Sequence, residues 1–267
     1  MRITWQVCIG LILYAAALTA LAPLLVRRQS WYLHRPDRVL TVWFAALFSS
    51  LGALTAAMLL ALTTLAADRG HLHGTRQALI TELSVWALLI MVGAAIALVS
   101  ARAEGLLAAS RQTRRDMQCL SATLAYRTEE RSGCHVTYLA ADEPIACSVT
   151  GRSPEIFVSS GLESRLRPTE LNAVIEHEIA HLTHRHSLTT YIADLAATTA
   201  PWIPASQELR RSTAVLIEFI ADDRACCSTT HDHLVDALNA LNTGKGADLN
   251  RVRIGRLTQP VHAATLR

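Results

Sequence analysis

Two histidines four residues apart with a glutamate between them, His177-Glu178-Ile179-Ala180-His181, are the residues of this 267-residue chain best placed to do chemistry. On a helix, positions i and i+4 lie on one face, so both imidazoles can reach one divalent cation while Glu178 projects beside it. An imidazole pair suits zinc, and a carboxylate next to a zinc site suits a general base for hydrolysis. A catalytic zinc takes three protein ligands and keeps a fourth position open for water, so a third ligand must come from another element. Glu218, in a helical stretch over 207–226, is the best candidate. Asp222, four residues on and on the same face, is placed to accept a hydrogen bond from the non-liganding nitrogen of a zinc histidine. The alternative for this acidic pair is an exposed face shared with Arg224, and Asp223 faces elsewhere.

The elements that must hold these residues follow from periodicity. Pro168-Thr169 opens a helix that continues to about residue 186, with Thr169 as N-cap and Glu170 favourable in the first turn. Leu171, Val174, Ile175 and Ile179 give it a core-facing stripe. Ahead of it, β-rich runs at 134–140, 145–149 and 155–159 are separated by Asp142-Glu143-Pro144 and Gly151-Arg152-Ser153-Pro154, and read as two or three strands of a small sheet. The last run, with Ile156, Phe157 and Val158, is a candidate for pairing with an extended substrate, a core strand being the equal alternative. His184 and His186 read as the polar end of the helix, because two helical histidines and Glu218 already complete a site. Cys226, Cys227, His231 and His233 splay apart at their spacing and are not expected to gather a second metal, and His71 and His73 read as part of a solvated loop. No oxyanion donor stands out; Arg224 is a candidate, with a structural salt bridge the preferred reading.

At 51% hydrophobic and 18% charged, with mean hydropathy +0.26, the chain is too apolar for disorder and unusual for a soluble domain. A net charge of +3 without a long basic run argues against direct nucleic-acid binding. Six cysteines without CxxC spacing read as reduced thiols. Uncharged stretches within the first 101 residues predict three transmembrane helices, at about 5–26, 40–66 and 82–101, and so a lipid bilayer as partner. A cleaved signal peptide is the competing reading of the first, disfavoured by its length and by Pro23 after the small-residue site. Arg27, Arg28, Arg35 and Arg38 in one connection, and Arg102, Arg111, Arg114 and Arg115 after the third helix, belong inside by the positive-inside rule. The N-terminus and the 68–82 connection, where Arg69 and Arg76 are balanced by Asp68 and Glu82, belong outside, so everything after residue 101 is expected in the cytoplasm. The expected order is a membrane domain over 1–101, a connector helix over 102–131 acting as a tether, an α+β domain over 132–243, and a weakly docked tail over 244–267 without a role.

The motif His177-Glu178-Ile179-Ala180-His181 with the downstream Glu218-Phe219-Ile220-Ala221-Asp222 resembles the membrane zinc peptidases that carry HExxH and a later ExxxD, among them the heat-shock membrane proteases, the CAAX-prenyl endopeptidases and the BlaR/MecR sensor-transducer peptidases. The stretch Val158-Ser159-Ser160-Gly161-Leu162, then Leu166-Arg167-Pro168-Thr169-Glu170-Leu171, is most similar to the BlaR/MecR type, and the resemblance covers about 130–227. It implies a cytoplasmic zincin-like α+β metallopeptidase domain on a helical membrane protein. His177, His181 and Glu218 would bind one Zn2+ per chain, with Glu178 as base and Asp222 orienting a ligand. It implies signal transduction through cleavage of a cytoplasmic regulator such as a transcriptional repressor; a quality-control protease and a non-catalytic receptor with a structural zinc are the alternatives. The residues present include neither a penicillin-binding sensor nor its preceding helix, so β-lactam sensing is not expected. Between HExxH and Glu218 only 187–206 intervene, too few for the transmembrane pair of the other membrane proteases, so a buried or interfacial helix is expected there.

Overall fold

The structure, a computed structural model, describes residues 2–27, 31–68, 75–151, 153–242 and 246–259. Arg28, Arg69, His71, His73 and the last eight residues lie outside the described residues, as do the side chains of Arg2, Arg27, Trp31, Tyr32, Asp68 and Arg76.

The first half of the chain is helical: α1 (Arg2–Arg27), α2 (Trp31–His34), α3 (Pro36–Asp68) and α4 (Thr75–Leu124). Three of these are long and apolar enough to cross a membrane, over Trp5–Leu24, Pro36–Leu65 and within Leu79–Leu124, and they contain the three expected spans. Their outward faces are apolar, with Leu13 63%, Leu83 68% and Ile90 68% exposed, an arrangement that suits lipid rather than water as solvent. Helices α1 and α3 run antiparallel, since Tyr14 Oη lies 2.8 Å from Ser49 Oγ while Cys8 Sγ donates to Ala57 O.

Helix α4 has 50 residues and is about 75 Å long, more than twice a hydrocarbon core. Its second half leaves the apolar segment and runs along the α+β domain. The expected connector helix over 102–131 is therefore one helix with the third span, and it stops at Leu124; residues 125–131 are a strand, β1 (Ala125–Arg131). Ser132 and Gly133, both at positive φ (51° and 76°), make a two-residue turn, and β1 pairs antiparallel with β2 (Cys134–Leu139). Pairing with β2 outweighs the helix-like polar pattern on which the expectation rested.

The strands β3 (Ala146–Val149) and β4 (Glu155–Ser159) complete a four-stranded sheet in the order β1-β2-β4-β3, with β4 parallel to β2 and antiparallel to β3. All three expected runs are strands, and the fourth, β1, is the addition. Helices α5 (Ser160–Arg165), α6 (Pro168–Thr183), α7 (His186–Thr199), α8 (Pro204–Ser228), α9 (His231–Ala240) and α10 (Ala247–Leu257) follow. Gly161, between β4 and α5, comes so close to the Asp142 carbonyl that a Cβ there would lie 1.9 Å from its oxygen, which only glycine permits.

Helix α6 packs its stripe of Leu171, Ile175 and Ile179 on Val136, Tyr138, Ile156 and Val158 of the sheet. On its other side Ala173 meets Ala225 and Cys226 of α8, Leu234 and Leu238 of α9 and Leu257 of α10. A separate core joins Ala22, Val39 and Trp43 of the apolar helices to Ala193, Leu209 and Leu216 of α7 and α8. The expected helix within 187–206 is α7 with the turn after it, and that turn lies against the apolar helices. There an apolar cavity of about 450 Å3 is walled by Leu18 of α1, Leu51 and Leu54 of α3 and Ile203, while Trp202 is 72% exposed.

Candidate metal centre and cleft

Helix α6 starts two residues earlier than its expected cap implies: the N-cap is Arg167, not Thr169. Pro168 occupies the first helical position, where its missing N–H costs nothing, and Glu170 accepts a hydrogen bond from the Arg167 backbone N–H at 2.6 Å. The helix also ends earlier than residue 186. Its last residue is Thr183, Arg185 turns left-handed at φ 52°, and His186 opens α7.

His177 and His181, one turn apart on α6, direct their Nε2 atoms toward each other at 3.0 Å. From α8, the Glu218 carboxylate oxygens lie 3.4 Å from His177 Nε2 and 3.5 Å from His181 Nε2. A tetrahedral ion bound at about 2.1 Å would set its ligand atoms about 3.3–3.5 Å apart, so the three donors fit a divalent metal by spacing and by type. Among the described residues these are the one group of three side chains that could hold a metal.

The remaining ring nitrogens are both engaged. His177 Nδ1 lies 3.0 Å from Asp222 Oδ1, and His181 Nδ1 lies 2.9 Å from His186 Nδ1. Each metal-facing histidine can thus donate its other N–H to a fixed acceptor, which sets tautomer and ring orientation. Burial, aided by the charges of His181 and His184, pushes the His186 pKa down to about 3, leaving it neutral and able to accept. His186 was expected to be a polar helix end; the left-handed turn at Arg185 instead folds it back into the site, where it is 3% exposed. His184 stacks on it at 5.7 Å.

A second element that sequence reading missed is α10, in the region expected to be a tail without a role. Its Arg253 is buried at the candidate metal site, where Nε donates to Asp222 Oδ2 at 2.9 Å and Nη2 to Asp222 Oδ1 at 2.5 Å, while Nη1 forms an ion pair with Glu218 Oε2 at 3.2 Å. Burial opposes ionisation of Asp222, yet the Arg253 charge outweighs it and holds the pKa at about 2. For Glu218 burial is again opposed, by His177 and then Arg253, with the same result of about 2. Burial disfavours a charged His177, but hydrogen bonding to Asp222 and Glu218 raises its pKa to about 9. One turn on, Arg256 grips both oxygens of Asp223 and donates to Leu33 O at 2.7 Å, tying the connection between the first two spans to α8. The sequence signal for α10 lay in Asp222 and Asp223, two adjacent carboxylates that require cations from elsewhere, and in Arg253 and Arg256, which share one helix face.

In front of the donors lies a cleft of about 570 Å3, into which Glu178 and Glu218 face. One wall is α4, through Ala109, Ser110 and Thr113; the connector does more than tether. The opposite side is β3, through Ala146, Cys147 and Ser148. β3 is an edge strand, paired with β4 on one side only, and three of its four residues line this cleft. The expected substrate strand carrying Ile156, Phe157 and Val158 is instead the interior strand β4, hydrogen-bonded on both sides, with those three side chains 0%, 1% and 0% exposed. A strand with two partners has no ladder left to offer a peptide. Arg224 is exposed on α8, away from the cleft lining.

Three helices long and apolar enough to cross a membrane are thus joined to a small α+β domain whose His-His-Glu group could hold a metal. Residues 111–221 match the family model described as Peptidase family M48, which supports a metallopeptidase of that family. The match covers less than half of the chain; it includes His177, Glu178, His181 and Glu218 and stops one residue before Asp222. No curated protein and no solved structure matches the chain.

Proposed function

We propose that this chain is an integral-membrane zinc endopeptidase that cuts proteins at the cytoplasmic membrane face. The observation that carries this reading is the donor triangle of His177, His181 and Glu218 at the base of a cleft that also holds Glu178 and an open strand edge. A purely structural metal site needs ligands but no neighbouring carboxylate facing an open cleft. Zinc bound there supplies a Lewis acid and lowers the pKa of water toward about 7. Glu178 takes the proton of the attacking water and returns it to the leaving amine, base then acid. Asp222 and His186 hold the two imidazoles in register, and Arg253 keeps Asp222 ionised as an acceptor. An extended segment of substrate pairs along β3, adding a strand to the free edge.

The cytoplasmic side is supported by Arg35, Arg38, Arg102, Arg111, Arg114 and Arg115, which flank the apolar segments on the side of the α+β domain. Leu18 of the first apolar run lines the same cavity as Ile203 of the α7–α8 turn, and Trp202 in that turn is 72% exposed, which suits a place at the membrane interface. A substrate reaching this cleft lies at the headgroups. Regulatory proteolysis of a cytoplasmic repressor-like protein, as in the BlaR/MecR layout, is the physiological role we favour.

The test compares new protein N-termini in cells making the wild-type chain or Glu178→Gln at equal membrane abundance. A few wild-type-specific cytoplasmic termini would establish the regulatory protease and identify its substrate. Many unrelated termini would replace it with quality control, and none under several stresses, with zinc bound, would favour the non-catalytic receptor.

A further inference from the structure

Helix α7 forms the third side of the cleft and presents Ser187, Thr190, Tyr191 and Asp194 to it, the i, i+3, i+4, i+7 positions of one face. Three carboxylate-bearing residues line the cleft. Glu178 and Glu218 belong to the metal centre; Asp194 does not, and no Lys or Arg lines the cleft to balance it. Among the described residues the Asp194 side chain has no hydrogen bond or ion pair, and the bond from Thr198 Oγ1 goes to its backbone carbonyl. It is half-buried, and its neighbour Ala193 is packed at 1% exposure, so α7 cannot roll to turn the carboxylate away. One turn before it, on the same face, stands the Tyr191 ring.

A fixed carboxylate without a counter-charge, next to an aromatic ring in a cleft, suits a cation on an apolar stem. The stem covers the ring and the head meets the carboxylate. We infer that Tyr191 and Asp194 form a subsite for a lysine or arginine side chain of a bound peptide, an inference that rests on the peptidase reading for the nature of that ligand. The position along the peptide follows from α7. His186 touches the metal-facing His181, and Asp194 is eight residues further on, about 12 Å along the axis. An extended peptide advances about 3.3 Å per residue, so a peptide laid along α7 would put the cation three or four residues from the scissile bond. Its strength falls with salt, as for any partly solvated pair.

The test uses the full-length Glu178→Gln protein, zinc-loaded and in a bilayer, where binding is read without turnover. Fluorescent peptides of one neutral sequence carry Ala, Lys, Arg or Glu at each position in turn. Lys or Arg at one position is expected to tighten binding about five-fold over Ala, with Glu weakening it. That gain should vanish with Asp194→Asn and invert in favour of Glu with Asp194→Lys, at unchanged zinc content and melting temperature. A basic preference that survives Asp194→Asn, or no basic preference at any position, overturns the subsite. The same peptides offered to the Glu178 protein separate the two readings. Cleavage without Asp194-dependent preference would leave a peptidase and remove the subsite. Asp194-dependent binding without any cleavage would keep the subsite and remove the peptidase.

Discussion

Glu178 differs from its neighbours on α6 in that it faces the cleft while binding nothing among the donors, and its replacement separates chemistry from assembly. Glu178→Gln is expected to keep the metal and lose about 10²- to 10⁴-fold in peptide hydrolysis, whereas Glu218→Ala loses the metal itself; metal analysis beside a peptide assay distinguishes them. Wild-type zinc content in Glu218→Ala would refute the ligand assignment. Arg253 acts by another route. Arg253→Gln leaves Asp222 buried without its cation and is expected to destabilise the domain by about 3 kcal/mol, with Arg253→Lys recovering part, since an ammonium cannot fork across both Asp222 oxygens. Denaturant unfolding in micelles reads this, and an unchanged midpoint would contradict it. The contrast in legibility has a physical origin. His177, Glu178 and His181 are related by helix geometry, which a sequence displays, while Arg253 reaches His177 across 76 positions by tertiary packing, which it does not.

At the scale of elements, α6 shows how a cap carries pH dependence. Glu170 pairs with the Arg167 guanidinium and accepts from the Arg167 backbone N–H, and these contacts lower its carboxyl pKa against the opposing effect of burial. A carboxyl depressed in the folded state adds stability above its unfolded pKa of about 4.3, and loses it as pH falls through the lower folded value. Glu170→Gln should therefore cost about 1 kcal/mol at neutral pH and little at pH values below the folded one, so that the two proteins converge in acid melting curves. Parallel curves down to strong acid would count against this. Cap chemistry is half legible: the sequence shows Glu170 in the first turn, whereas Pro168, which sits most readily at N1, moves the N-cap from Thr169 to Arg167. The strand runs were legible because turn residues bracket them. Their order in space was not, and order alone decides that β3 rather than β4 presents the free edge.

Over the whole molecule, the α+β domain is not a separable body. Ala193, Leu209 and Leu216 find their core against Ala22, Val39 and Trp43, and Arg256 ends on the carbonyl of Leu33. A fragment from residue 102 onward would expose that face of α7 and α8, the helices that bring His186 and Glu218 to the metal. Such a fragment is expected to aggregate without detergent and to bind zinc more weakly than the full chain; a monodisperse fragment of equal affinity would show that the two parts are independent. Composition and hydropathy already divided the chain into apolar and polar halves. They could not show the seam, because its residues are apolar and read equally well as facing lipid.

The unbroken α4 has a further mechanical meaning. A single rod carries both an apolar run that fits a bilayer and, at Ala109, Ser110 and Thr113, one bank of the groove. Pivoting near residue 90, a 5° tilt displaces Ser110 by about 3 Å over a lever of about 30 Å. Spans tilt to match bilayer thickness, so in a chain that crosses a bilayer as proposed above, cleavage rate would be expected to vary with lipid chain length, a dependence that vesicles of graded thickness would read.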